Sequence, residues 1–307
     1  MDPIDQVTLN FSEANLFYLN LSLGFIMFGV AINLRLEDFI RVIKSPKSTL
    51  VGIFSQFLVL PSLTFLLVLI IQPRPSFALG MMLVAACPGG NISNFMTAMA
   101  RGNTALSVSL TAVSSTLAII MTPLNITFWG SLYPPTASIL TEVSLDFWEL
   151  FKTITMLLLI PIFLGMLLRK WKPTIADKLH PIMHYSSIAI FAGIVIMAFN
   201  ANFDLFIAHI HLVVLLVFAH NAFALLAGFN LARVFKLQLQ DRKSIAIETG
   251  IQNSGLGLII IFGFFEGLGG MAIVAAWWGI WHIISGLCLA YFWNRNADVS
   301  PSTVSNI

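Results

Sequence analysis

Stretches of roughly 20 apolar residues recur along this chain, each long enough to cross about 30 Å of hydrocarbon as an α-helix. Two of them are broken in mid-course by polar residues: Cys87-Pro88-Gly89-Gly90-Asn91-Ile92-Ser93-Asn94 and Glu248-Thr249-Gly250-Ile251-Gln252-Asn253-Ser254-Gly255. An unwound backbone is tolerated at bilayer depth only where protein or a watery cavity covers its polar groups. Two such breaks in corresponding positions of two halves of a chain point to a transporter's binding site.

Composition fixes the class. With 58% hydrophobic and 10% charged residues, against about 25% charged in an average soluble protein, the 307 residues cannot be divided into one core and one wet surface. The chain reads as an all-α polytopic membrane protein whose bulk partner is the lipid bilayer. The net charge of +2 follows membrane sidedness and says nothing about a partner, and no dense basic run suggests nucleic acid, so none is expected as a partner. Cys87 and Cys288 both fall in apolar stretches, so neither a disulfide framework nor a thiolate metal site is supported. Residues 1–13 are polar and acidic and lack the basic start of a cleavable signal.

Hydropathy gives nine spans, at 15–34, 48–71, 76–100, 104–133, 147–168, 181–199, 206–234, 244–265 and 269–293. Basic residues cluster after the odd-numbered ones: Arg35, Arg41, Lys44 and Lys47; Arg101; Arg169, Lys170, Lys172 and Lys178; Arg233, Lys236, Arg242 and Lys243; and Arg295. The other side holds Arg74 and Lys152. This asymmetry sets the N-terminus outside and the C-terminus in the cytoplasm of a cell (inner) membrane. The broken spans, third and eighth, then run in opposite directions, as inverted-topology repeats do. The resulting organisation is an external tail (1–14), a first repeat (15–134), a second repeat (135–295) and a cytoplasmic tail (296–307), of which the Ser-rich 299–307 is expected to be disordered.

Pro88 removes a donor and disfavours helix at Cys87, and Gly89 and Gly90 permit irregular dihedrals, so the third span should stop and restart. Asn91, Ser93 and Asn94 then stand at the start of the second half-helix, where free N–H groups and the dipole favour an anion. For one break alone, a kinked helix with satisfied polar neighbours is the competing reading. Glu248 is the carboxylate placed well inside a span, at a cost of roughly 2.5–3.5 kcal/mol on insertion scales, and such a residue is functional by default. With Thr249, Gln252, Asn253 and Ser254 it forms an oxygen-rich group suited to a hard cation. Its alternative is a place near the interface, close to Arg242 and Lys243. Gln56, just before Pro61, caps a freed carbonyl or binds an ion. Ser107 and Thr111 lie on one helix face, as ligands or as ordinary interhelical hydrogen bonders. His220 and His282 are isolated, and each is either a satisfied buried histidine or a functional one.

Pro88-Gly89-Gly90-x-x-Ser93-Asn94, Ala100-Arg101-Gly102-Asn103-x-Ala105-Leu106-Ser107 and Glu248-x-Gly250-x-Gln252-Asn253-Ser254 together resemble the bile acid:sodium symporter family. The resemblance runs from Ile26-Met27-Phe28-Gly29 through Gln56-Phe57 and Pro61 to Trp281-His282. It implies a panel domain, a core domain with two crossed broken helices, and sodium-driven uptake of an organic anion by alternating access. One sodium site would use Ser93, Asn94, Ser107, Thr111 and Glu248. A second would use Gln56, Glu248 and Gln252 with the carbonyls of Thr249 and Ile251. Asn91, Asn253 and His282 would contact substrate, and two sodium ions would couple transport without any further cofactor. Asn91 stands where the family frequently has threonine. Ile283 follows His282 where bacterial members often have asparagine, and nine spans match the animal members rather than many bacterial ones.

Two other mechanisms use the same residues. A proton-coupled organic anion carrier would titrate Glu248, and an intramembrane enzyme would pair Glu248 with His220 or His282, although no nucleophile–base spacing supports a reaction.

Overall fold

The computed structural model describes residues 5, 13–44, 46–201 and 203–297, which form helices joined by short turns and connections, with one isolated antiparallel bridge. Helix α1 (Glu13–Ala31) leads to a short α2 (Leu36–Lys44). Helix α3 (Pro46–Phe54) passes through a π-helical turn, Ser55–Val59, into α4 (Leu60–Ile71). The first broken helix is α5 (Pro75–Ala86) and α6 (Ile92–Met99). It is followed by α7 (Thr104–Leu132), α8 (Pro134–Glu142), α9 (Phe147–Trp171), α10 (Pro173–Ala201) and α11 (Phe203–Val234). The second broken helix is α12 (Leu239–Gly250) and α13 (Ser254–Phe264), and α14 (Gly269–Ala297) closes the described chain.

Among the described residues, five helices are long and apolar enough to cross a membrane: Pro46–Ile71, Thr104–Leu132, Phe147–Trp171, Ile207–Val234 and Gly269–Arg295. Helices α5 and α13 are apolar but short. Each expected span falls on helix, with shifted ends. Helix α10 begins at Pro173 rather than at 181, because its first turns are polar and hydropathy does not register them. Helices α2 and α8 are additions for the same reason: an amphipathic or proline-led turn has little mean hydropathy to detect. Of the expected tails, residues 1–4, 6–12 and 298–307 lie outside the described residues.

The halves that lead into the two breaks are closely enclosed, as irregular backbone at depth has to be, whereas α6 exposes Phe95. Every residue from Ser76 to Ala86 is buried in α5, and every residue from Lys243 to Gly250 in α12. Around them, α9 and α11 turn large apolar side chains outward, among them Ile160, Phe163, Leu215 and Leu226. Helix α5 packs on α14 and α13, and α6 on α12 and α7, with Trp278 of α14 fully buried in the main apolar core. Helix α12 also lies against α11. A Cβ on Gly228 would come within 2.9 Å of the Ala246 Cα, so this helix pair needs a glycine to close.

Helices α1, α9 and α10 pack on one another. Gly165 of α9 sits against Ala31, Arg169 Nε donates to the Ile32 carbonyl (2.6 Å), and the Arg169 guanidinium bonds Asp177 at the start of α10. That bond holds the exposed Asp177 carboxyl below its usual pKa.

Candidate ion and substrate site

The two breaks meet. Gly90 N donates to the Ile251 carbonyl (2.7 Å) and Asn253 N to the Pro88 carbonyl (2.8 Å), so that Gly89 and Gln252 pair as an antiparallel bridge. Pro88 has no N–H to offer, and its carbonyl is the group used. The carbonyls that α5 and α12 leave free at their C-terminal ends are also met. Thr122 Oγ1 donates to Ala86 O (2.7 Å) and Gln56 Nε2 to Cys87 O (2.8 Å). Asn221 Nδ2 donates to Gly250 O (2.7 Å) and Gln252 Nε2 to Thr249 O (2.6 Å).

Glu248 lies two residues before the end of α12 and is 3% exposed. Its Oε2 accepts from Ser93 Oγ at 2.6 Å and Ser107 Oγ at 3.3 Å, and its Oε1 from Thr111 Oγ1 at 2.7 Å. Asn94 Oδ1 faces the same hydroxyls, 2.8 Å from Ser107 Oγ and 3.3 Å from Thr111 Oγ1. The residues expected at the first ion site, Ser93, Asn94, Ser107, Thr111 and Glu248, are therefore one cluster, in which Ser107 and Thr111 hydrogen-bond across from α7 to α12. Gly89 completes it: a Cβ there would stand 2.3 Å from Glu248 Oε1.

Energetics decides what such a cluster needs. Hydrogen bonds to a charged group contribute about 1.5–3 kcal/mol each, while a buried ion costs several kcal/mol in desolvation. Three hydroxyls roughly offset that cost and leave the charge in place, so a bound cation or a proton is the remaining means of neutralising it. Turned about, the hydroxyls present lone pairs, and with the carboxylate and the Asn94 carbonyl they make an all-oxygen set fitted to a hard cation.

The second expected group is only partly assembled. Gln56 Nε2 donates to Gln252 Oε1 (2.7 Å), Gln252 Nε2 reaches back to Gln56 Oε1 (3.2 Å), and Ser55 Oγ bonds Thr249 Oγ1 (2.8 Å). Glu248, one turn before Gln252, directs its carboxylate bonds to the other cluster, and Ile251 O is engaged by Gly90 N. The π-helical turn carries Ser55 and Gln56 inward. Pro61 cannot bond the Phe57 carbonyl four residues back, and Asn125 Nδ2 takes it instead (3.2 Å).

The expected substrate contacts differ among themselves. Asn253 caps α13, accepting from Leu256 N (3.1 Å), while its Nδ2 lies 3.8 Å from Met27 Sδ of α1. Asn91, at the start of α6, is exposed and makes no capping bond. His282 is buried on α14, its Nδ1 without a hydrogen-bond partner among the described residues. His220 is buried as well: Nε2 is 2.7 Å from Thr64 Oγ1, the ring lies 4.7 Å from that of Trp278, and Nδ1, like that of His282, has no hydrogen-bond partner among the described residues. Sequence reasoning missed Thr122 and Asn125, which take up freed carbonyls, and it marked Asn221 beside His220 only as an isolated polar group, whereas Asn221 takes up the Gly250 carbonyl. Pro61 and the two breaks were the available signals that such partners must exist.

A bundle of apolar helices with one buried carboxylate ringed by oxygen-bearing side chains, where two broken helices touch, has the make-up of an integral membrane protein. The chain belongs to the sodium bile acid symporter family, whose profile matches residues 20–209. It is 33% identical to an uncharacterized sodium-dependent transporter, YocS, of Bacillus subtilis, over 94% of this chain and 88% of that protein. That alignment is long enough to take in both breaks. It is 30% identical to the probable sodium/metabolite cotransporter BASS1, chloroplastic, of Arabidopsis thaliana, over 88% of this chain and 65% of that protein. The P3 protein of Mus musculus is 28% identical over 82% of this chain, which spans about half of it (52%). The family is one of transporters and not of enzymes, which removes the reading of Glu248 with His220 or His282 as an acid–base pair.

Proposed function

We propose that this protein is a sodium-coupled symporter that takes up an organic anion, such as a bile acid or another small carboxylate, by alternating access. The observation that carries the reading is the convergence of Ser93, Asn94, Ser107 and Thr111 on the buried Glu248. One sodium ion binds there. A second binds between Gln56, Gln252 and the carbonyls of Thr249 and Ile251, sharing Glu248. Two monovalent ions on one carboxylate leave a net positive centre beside the N-terminal ends of α6 and α13, which attracts an anion. Asn91 and Asn253 contact that anion, with His282 lining its path.

The protein works as two inverted repeats, 15–134 and 135–295. Helices α1, α9 and α10 form the panel, and the two crossed broken helices lie in the core. The contacts of α6 with α12 and of α5 with α13 support this division, because oppositely directed broken helices meet with the first half of one against the second half of the other. The basic connections support a cell-membrane orientation with the N-terminus outside and the C-terminus in the cytoplasm.

The test is uptake into proteoliposomes of labelled taurocholate, a keto acid and a pantoate-like hydroxy acid. At least one should accumulate against its gradient when sodium is high outside, and none in choline. Accumulation driven by a pH gradient in sodium-free buffer would replace sodium by the proton at Glu248, and equilibration without accumulation would make the protein a channel.

A further inference from the structure

The Glu248 centre is drawn from two pieces of chain far apart in sequence. Ser93, Asn94, Ser107 and Thr111 all belong to the α6–α7 hairpin, and Glu248 to α12. A site of this kind works only if its groups are held to within about 0.5 Å, so something must fix the hairpin against α12.

The first turns of α12 do this. Asn103 caps α7, its Oδ1 accepting from Leu106 N at 3.0 Å, and the rest of the residue is held by α12. Its Nδ2 donates to Asp241 Oδ1 (2.8 Å), its N–H to Gln240 O (3.2 Å), and its carbonyl accepts from Ser244 Oγ (3.0 Å). Asp241 Oδ2 accepts from Ser48 Oγ of α3 (2.6 Å), which fixes the carboxylate from its other side. Lys243, 6% exposed, donates from Nζ to Ala100 O (2.8 Å) at the C-terminal end of α6, where the dipole favours a cation, and lies over the Trp293 ring. Asn103, Ser107 and Thr111 follow one another at four-residue intervals and so form one stripe along α7. Asp241, Ser244 and Glu248 form the facing stripe on α12. The contact at Asn103 therefore sets which way Ser107 and Thr111 point, about 6 Å and about 12 Å further along.

We propose that residues 240–244 of α12 clamp the α6–α7 hairpin and set the ion geometry at Glu248, with Asp241 and Lys243 as positioning residues that never touch the ion. This rests on the sodium reading of Glu248. It goes beyond that reading by assigning affinity and ion selectivity to side chains two turns away. Discrimination between ions of one charge depends on the size and rigidity of the oxygen cage. Loosening the clamp should therefore weaken sodium binding and narrow the gap between sodium and lithium.

Purified full-length protein is titrated calorimetrically with NaCl and separately with LiCl, against choline chloride at constant ionic strength. Asp241→Ala should raise the sodium Kd about tenfold, the lower end of losses for groups supporting a metal site, and reduce the sodium-to-lithium affinity ratio. Asp241→Glu should restore part of both. Asn103→Ala should match Asp241→Ala, with the double variant little worse than either single one, as partners in one contact behave. Glu248→Gln is measured alongside. If it abolishes sodium binding while folded Asp241→Ala keeps the wild-type Kd and ion ratio, the clamp is rejected and the sodium site stands. If Glu248→Gln keeps wild-type sodium binding, the sodium reading falls and takes the clamp with it. Should Asp241→Ala not be recovered folded, Ser48→Ala decides in its place, an unchanged sodium Kd and ion ratio rejecting the clamp.

Discussion

The two polar clusters at the crossover hold their oxygens in opposite ways. Around Glu248, hydroxyls from α6 and α7 all point at one carboxylate, and its charge organises them. Between Gln56 and Gln252 no charge is present, and the two amides close on each other and on the carbonyls of Cys87 and Thr249. The first cluster needs only hydroxyl rotation to receive a cation. The second must first give up its own hydrogen bonds, each worth about 0.5–1.5 kcal/mol net. The lesson is that a fixed charge gathers hydroxyls around itself, whereas neutral amides satisfy one another. Glu248 should therefore dominate sodium affinity, and the glutamines should govern the weaker of two binding events.

Glu248→Gln tests the contrast hardest. It keeps size and one oxygen while removing the charge that organises the cluster. Sodium affinity should fall by about 10–100-fold or more, and sodium-dependent uptake should be lost in a protein that still reaches the membrane. A wild-type sodium titration would end the assignment.

Gly89→Ala attacks the same cluster from the backbone. A methyl 2.3 Å from Glu248 Oε1 must push the carboxylate aside. Sodium affinity should drop by roughly tenfold, with the glutamine pair left in place. If calorimetry instead shows two unaltered binding events, the carboxylate is more mobile than its three hydroxyl bonds imply, and the contrast between the clusters weakens.

Gln56→Ala should have the smallest effect, a few-fold loss confined to one sodium event. It removes an amide that the structure already holds closed, and it also leaves Cys87 O without a partner, which costs about 1–3 kcal/mol of stability. A calorimetric profile in which it abolishes all sodium binding would merge the two clusters into one site.

Much of this was readable in the sequence, and for a physical reason in each case. A charged or helix-breaking residue inside an apolar run is costly, so Pro88-Gly89-Gly90 and Glu248 announced themselves. Ser107 and Thr111 did not, since a hydroxyl on an apolar helix serves packing as readily as coordination, and their part came from the resemblance to the family. The π-helical turn at Ser55–Val59 is invisible to hydropathy because it changes backbone phase without changing composition. The clamp was hidden for another reason. Asp241 and Lys243 look like an ordinary charged connection before a span, and only the folded chain puts them against Asn103 and Ala100.

The bridge between Gly89 and Gln252 joins positions separated by more than half the chain. Synthesis runs from the N-terminus, so the first break is threaded into the bilayer long before the segment that shelters it has left the ribosome. Until α12 and α13 arrive, Pro88 O and Gly90 N lack the backbone partners that the folded chain gives them. The seam at the first break is therefore closed by Ile251 and Asn253, residues made only after the more than half of the chain that separates them from it.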